Sequence, residues 1–339
     1  MSTSDMPTPS PMSPAVQDFA HRHRLRWWEP IPWILAIAFF YSFPRHLGIG
    51  NEILVMILFA LSLDLVLGYA GIVTLGHAAF FGIGAYTVGM LAHHGIWTEP
   101  LSGLLVAAVV ASIFGLISGL ILLRTTGLTL LMLTLCMMLL LEEAANLGQA
   151  WTGGYDGLDT VPIDPIFGKF AFNPLIPATQ YIYILCILFI GFLVVRTIVY
   201  SPFGESLTGI RENTLRMHAV GAPVRKRLII IYAISGAIAG IAGALWAQAN
   251  AYVNLSTFSL DRAATVLIIL VLGGYGRLYG AFIGAVAYMA LSHYLAKVYP
   301  TAWQLGLGLL LVFIAMFARN GILGLASNIA AKFRRKSVS

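Results

Sequence analysis

Residues Tyr200 to Arg227 read YSPFGESLTGIRENTLRMHAVGAPVRKR, a polar and charged stretch with long apolar runs on both sides. Pro202 and Gly204 interrupt the incoming helix, and Pro223 discourages helix just before the next apolar run. Between them, Glu205 to Val220 has the spacing of a short amphipathic helix. Leu207, Ile210, Thr214, Met217 and Val220 recur at three- and four-residue steps, whereas Glu205, Arg211, Glu212 and Arg216 occupy other positions around it. Such a helix is either a solvated loop or a docking element at a membrane surface, and the pattern alone leaves both open.

The flanking runs decide the class. Of 339 residues, 59% are hydrophobic and only 10% charged, against roughly a quarter charged in soluble domains. Runs of about 20 apolar residues cross a bilayer, and they occur here at 31–48, 51–67, 72–92, 101–123, 126–147, 180–199, 228–249, 258–274, 278–298 and 302–319. The expectation is an all-α integral membrane protein of about ten transmembrane helices, with both termini on one side. The second and eighth runs are short enough for tilted, broken or re-entrant helices.

Charge orients the chain. A cytoplasmic N-terminus leaves only Arg45, Lys169, Arg262 and Lys297, of 20 Lys and Arg, for the outside. That is the asymmetry membrane insertion favours, so both termini are expected in the cytoplasm. Residues 1–26 read as a disordered cytoplasmic tail ending in Arg22, Arg24 and Arg26, and Trp27 and Trp28 mark the membrane boundary. No apolar core of a signal peptide precedes them. The membrane domain spans 27–325, with a cytoplasmic loop at 200–227 and an outer loop at 148–179. Residues 326–339 form a basic tail whose KFRRK suits anionic lipid. The net charge of +6 is therefore membrane-surface charge, with no nucleic-acid partner implied.

Candidate chemistry is sparse. Cys136 and Cys186 lie inside apolar runs and read as small core residues. His77, His218 and His293 are scattered without metal-ligand spacing, so no metal site is expected. GGYGRLYG, 273–280, lies between apolar helices and lacks the βαβ setting of a dinucleotide loop. No G-x-x-x-x-G-K-[ST] occurs anywhere, so the chain carries no recognisable ATPase motif or cofactor site of its own. Asp64 sits near the inner end of the second run. Insertion of a charge at membrane depth costs about 2.5–3.5 kcal/mol, so this carboxylate must face protein or water. It reads either as a relay or as a carboxylate held by the nearby Gly68–Gly76 backbone. Glu142 and Glu143 are adjacent and point about 100° apart, so they are no catalytic pair. Gly153, Gly154 and Gly157 in the outer loop permit positive φ. The glycines at 68, 71, 76, 82 and 84, and those of 271–285, thin the helix faces where helices meet in lipid.

Four segments in order resemble one family, the M-type permeases of branched-chain amino-acid ABC importers (the LivM family). They are LVLGYAGIVTLGHAAFFGIGAY from Leu65 with its Gly76-His77-Ala78-Ala79-Phe80 core, WTGGYDGL at Trp151, SPFGESLTGIRENTLRMHAVGAPVRKR with the helix after it, and VLGGYGRLYGAFIGA from Val271. The closing ARNGILGL also resembles the family's ending. The resemblance implies that Ser206 to Gly221 is a coupling helix docking on an ATPase subunit, with Ala219-Val220-Gly221 at its core. Glu205, Ser206, Arg211, Glu212, Asn213, Arg216, His218, Ala219 and Gly221 would carry that contact.

The same resemblance makes Gly76, His77, Thr152, Gly153, Gly154, Asp156 and Gly157 candidates for the substrate pathway or gate, although a loop that merely closes the outer end is an equal alternative. Arg45 and Arg262 would face a substrate-binding protein outside. The implied partners are a homologous H-type permease, two ATPase subunits that bind ATP and magnesium, and a periplasmic or lipid-anchored binding protein, all at a bacterial inner membrane. Family members commonly carry Glu or Gln at the Leu139 position and Arg at the Glu142 position; the departure here leaves the cargo open. Branched-chain or other hydrophobic amino acids compete with urea, short amides or aromatic acids, and with ion-coupled transport through Asp64 and Glu142.

Overall fold

The computed structural model describes residues 29–159, 176–298, 300, 303 and 305–309. The N-terminal tail, the basic C-terminal tail and most of the expected last span lie outside the described residues, as does part of the outer loop. Contacts divide the chain into Met1–Ala38 and Phe39–Ser339, and helix α1, Ile31–Ser42, runs across that division.

The second unit is helical. A 3-10 turn, Pro44–His46, leads into α2, Leu47–Asp64, which ends in a π-turn, Leu65–Tyr69. There follow α3, Ala78–His93; α4, Pro100–Leu122; α5, Leu128–Leu147; and the single turn α6, Gln149–Thr152. After the outer loop come α7, Pro177–Val199; α8, Pro202–Glu212; α9, Thr214–Ala219; α10, Val224–Asn250; α11, Leu260–Gly273; and α12, Gly280–Val298. Two-residue strands β1, Leu158–Asp159, and β2, Tyr252–Val253, pair antiparallel with Leu158 opposite Val253. Among the described residues, six helices are long and apolar enough to cross a membrane: Pro44–Tyr69, Pro100–Leu122, Leu128–Leu147, Pro177–Val199, Val224–Asn250 and Gly280–Val298.

Helix α10 is the axis of the bundle, packed against α4, α3 and α2, while α2 in turn meets α7, α11 and α12. Apolar attraction between helices vanishes in lipid, so close backbone approach must replace it. Glycine permits that approach at two places on α10. A Cβ on Gly84 would collide with the Gly240 carbonyl, and one on Gly243 with the Phe81 carbonyl. The helices alternate in direction and so define two ends. His93, Asp159 and Tyr252 meet at one, the outer end in the expected orientation; the His93 ring lies 3.2 Å from the Asp159 carbonyl. Gly68, Leu120, Arg211, Arg225 and Gly276 meet at the other, where Arg225 donates to the Leu120 carbonyl at 3.0 Å.

Several boundaries differ from the sequence reading. The first run splits: α1 stops at Ser42, and residues from Leu47 belong to α2. The expected span 72–92 begins as helix only at Ala78. Residues before it are non-helical, turned by Gly71 at φ 74°. Helix α10 starts at Val224, so Arg225, Lys226 and Arg227 form its first turn. Cys136 and Cys186 are exposed on outward helix faces; in lipid an apolar outward face is as favourable as a core position, so hydrophobicity alone did not separate the two.

Candidate coupling site

The loop at 200–227 holds two helices where the sequence suggested one. Ser201 caps α8, its Oγ accepting from the Gly204 N–H at 3.3 Å, and Pro202 takes the first helical position, where the missing N–H costs nothing. Helix α8 ends at Asn213, which is extended (φ −156°) and whose Oδ1 accepts from the Arg216 N–H at 2.9 Å. Asparagine favours such a cap over a helix interior, and this overrode the amphipathic period. Gly221, at φ 82°, closes the second helix.

The two helices face different ways. Gly204, Leu207 and Ile210 are buried against the bundle. Ser206 is half-buried, its Oγ donating to the Phe203 carbonyl at 2.6 Å. Helix α9 stands clear: Arg216, His218 and Ala219 are exposed, as are Glu205 and Glu212 on α8, and Leu215 and Val220 are 82% and 78% exposed. Two large apolar side chains beside Arg216 and His218 make an amphipathic knob at the inner end.

Arg211 ties this knob to the membrane helices. The π-turn leaves the Gly68 carbonyl outside any helical ladder, and Arg211 Nη1 donates to it. The side-chain stem lies over Gly71, where a Cβ would come 2.7 Å from the Arg211 Cγ. A second contact crosses the same point. Asp64, 1% exposed, accepts on Oδ1 from the Gly276 N–H at 2.7 Å. Gly68 leaves room for that bond, since its Cβ would occupy the space of Asp64 Oδ1. The carboxylate is therefore held by backbone, as one of the sequence readings had it, but by the α11–α12 turn and not by residues 68–76. The end of α2, the end of α8 and the 274–279 turn thus converge on Asp64, Gly68, Arg211 and Gly276. For Gly68 the sequence signal is an acid four residues before a glycine in an apolar run; Gly276 carries no such signal, being 212 residues from Asp64.

Gly76 and His77 form a joint in the bundle interior. Ser62 Oγ donates to the Phe59 carbonyl at 2.6 Å and lies 2.9 Å from His77 Nε2. With its proton so used, the hydroxyl accepts from Nε2–H, which sets the histidine tautomer. The ring stacks on Phe59 at 5.6 Å, and Ser235 Oγ of α10 donates to the Ser62 carbonyl. A Cβ on Gly76 would collide with the Thr134 carbonyl of α5. These contacts join α2, α3, α5 and α10.

The TGGYDGL segment is turned by its glycines and tied to the chain after α10. Gly153, Gly154 and Gly157 have φ of 70°, 57° and 70°. Thr152 Oγ1 lies 2.9 Å from the Gly148 carbonyl, and the Tyr252 hydroxyl donates to the Asp156 carbonyl at 2.7 Å. Further ties that the sequence did not announce lie nearby: Asn51 to Gln180 at 3.0 Å, Gln180 to the Ala249 carbonyl at 3.1 Å, and Gln248 to the Pro100 carbonyl at 2.9 Å. Arg45 is exposed in its 3-10 turn, whereas Arg262 turns inward over Trp246. Among the described residues no three His, Cys, Asp or Glu side chains are grouped to hold a metal ion.

Residues 47–316 match the model of a family described as the permease component of branched-chain amino acid transport systems. The chain is 27% identical over 315 residues to the high-affinity branched-chain amino acid transport system permease protein LivM of Escherichia coli K12, covering 86% of this chain and 73% of that one. The Salmonella typhimurium protein of the same description matches to the same extent. A probable branched-chain amino acid transport permease protein LivM of Methanocaldococcus jannaschii is 27% identical over 271 residues, 68% of this chain and 75% of that one. No solved structure matches the chain.

Proposed function

The chain belongs to the branched-chain amino acid transport permease family, and from that premise we propose that it is the passive gate of an ATP-driven importer for branched-chain or other hydrophobic amino acids. The engine lies in two separate ATPase subunits that bind ATP and magnesium. A homologous permease subunit completes the pathway, and a binding protein delivers cargo from outside. The chain crosses a bacterial inner membrane about ten times, with both termini in the cytoplasm.

The observation that carries this reading is the α8–α9 knob. It presents Leu215, Val220, Arg216 and His218 to the outside of the molecule, and it is fastened through Arg211 to the end of α2. A subunit that grips the knob would pull on the Gly68 carbonyl, and through the Asp64–Gly276 contact on the α11–α12 turn. The inner position of this end is supported by its charge: Arg124, Arg196, Arg211, Arg216, Arg225, Lys226, Arg227 and Arg277 gather there, whereas Glu52, Glu99, Asp156, Asp159 and Asp261 mark the opposite end.

Reconstitution in proteoliposomes tests the proposal. ATP-dependent leucine uptake is expected only when the ATPase subunits, the second permease and the binding protein are all present. Ion-gradient-driven uptake by this chain alone would overturn it in favour of a secondary transporter.

A further inference from the structure

Arg262 sits in the first turn of α11, yet its side chain points into the bundle. The guanidinium carbon lies 4.3 Å from the centre of the Trp246 ring on α10 and 5.3 Å from that of Phe81 on α3. Aromatic rings cover the flat face of a guanidinium and leave its edge, with the N–H fork, available. Among the described residues, that fork donates no hydrogen bond and meets no carboxylate within 4.0 Å. The acids nearby stand off. Glu52 on α2 and the Tyr288 hydroxyl on α12 are within electrostatic reach. The Glu52 carboxylate lies 3.8 Å from His293 Nε2, and the Tyr288 hydroxyl is 3.3 Å from Thr265 Oγ1. Asp261, beside Arg262, is exposed.

A cation within membrane-spanning helices is costly unless it pairs or works. Here Arg262 and Glu52 lie on different helices within electrostatic reach but without a direct ion pair, and the guanidinium rests on an indole. We propose that Arg262 and Glu52 bracket the two charged ends of a zwitterionic cargo at the outer half of the pathway. The guanidinium fork accepts the cargo carboxylate as a bidentate pair, Glu52 accepts its ammonium, and Trp246 meets its apolar side chain. This rests on the amino-acid importer reading above and adds the residues that recognise the amino-acid backbone. It also reassigns Arg262 from an outer docking contact to the transport route.

The assembled transporter without binding protein, in detergent, provides the test, with leucine and leucinamide as probes and saturation-transfer NMR as readout. The wild type is expected to prefer leucine over leucinamide by about tenfold or more, the worth of a charged hydrogen bond. Arg262→Gln abolishes that preference. Arg262→Lys keeps the charge over Trp246 but loses the fork, and weakens leucine several-fold. An unchanged preference in Arg262→Gln overturns the proposal, as does equal binding of the two probes by the wild type. Failure of both variants to co-purify with their partner subunits also overturns it, marking Arg262 as a packing residue. ATP-driven uptake separates the two levels. If wild-type proteoliposomes take up no amino acid, the importer reading falls and takes this proposal with it. Normal uptake by both wild type and Arg262→Gln removes this proposal alone.

Discussion

Helices α10 and α5 are both long, apolar and free of lysine and arginine in their middles, yet the fold treats them oppositely. Helix α10 is buried on nearly every side, by α2, α3 and α4. Helix α5 buries a single stripe, Leu130, Thr134, Met138 and Ala145, and exposes Leu128, Met132, Leu133, Leu139, Leu140 and Leu147. The difference lies in side-chain size. Along α10, Ser235, Gly236, Ala239, Gly240, Ala242, Gly243 and Ala244 let three neighbours approach its backbone, whereas the leucines and methionines of α5 hold neighbours off. In lipid, bulk apolar surface gives no reason for two helices to associate, and thinness does. The bare face of α5 is accordingly the surface left for lipid or for a second permease.

The sharpest way to break this contrast is to thicken the α10 seam. Gly84→Val places a side chain against the Gly240 carbonyl, where backbone meets backbone and neither can yield. The expected cost is about 3 kcal/mol or more, read as loss of monodisperse protein in detergent; a stable, transport-active variant would refute the seam. Gly76→Val attacks the point where α5 does touch the bundle, at the Thr134 carbonyl. Displacing one helix is cheaper than splitting the axis, so a loss of about 1–3 kcal/mol is expected, with the assembled importer failing before the isolated chain does.

Ser235→Ala leaves the shape of α10 intact and removes one buried hydrogen bond to the Ser62 carbonyl. A thermal-denaturation series should register about 1 kcal/mol, and a negligible shift would mean that the His77 joint holds without it. Least of all, Leu140→Ala on the bare face should change the stability of the isolated chain by under about 0.5 kcal/mol. A photo-crosslinker at the same position then sharpens the comparison. Adducts with the second permease assign that face to a protein partner, and adducts only with lipid assign it to the bilayer.

Much of the fold was legible because a membrane reduces the alternatives: every backbone polar group must be satisfied within a helix, so runs such as 101–123 and 126–147 translate almost directly into α4 and α5. Legibility failed where local chemistry competed with periodicity. Asn213 falls inside the stretch whose spacing reads as one amphipathic helix, but its side chain caps better than it propagates, and one helix became two. Residues 72–77 are apolar enough to read as the start of a span, yet Gly71 and the π-turn bend the chain before α3 begins. At the site, Asp64 stood out as an isolated charge and Arg211 as one of the charges of the loop, but their partners, the Gly276 N–H and the Gly68 carbonyl, are backbone groups that no side-chain pattern announces.

Composition and charge placement dictated a helical membrane protein with a basic, loop-bearing end, because the cost of burying peptide groups and charges in hydrocarbon is paid residue by residue and so is written locally. Which helix lies at the centre, that Arg211 holds the end of α2, and that Arg262 turns inward onto Trp246 depended on contacts between residues far apart in the chain. Those follow from which faces are thin enough to touch, a property of helix pairs that no single stretch carries.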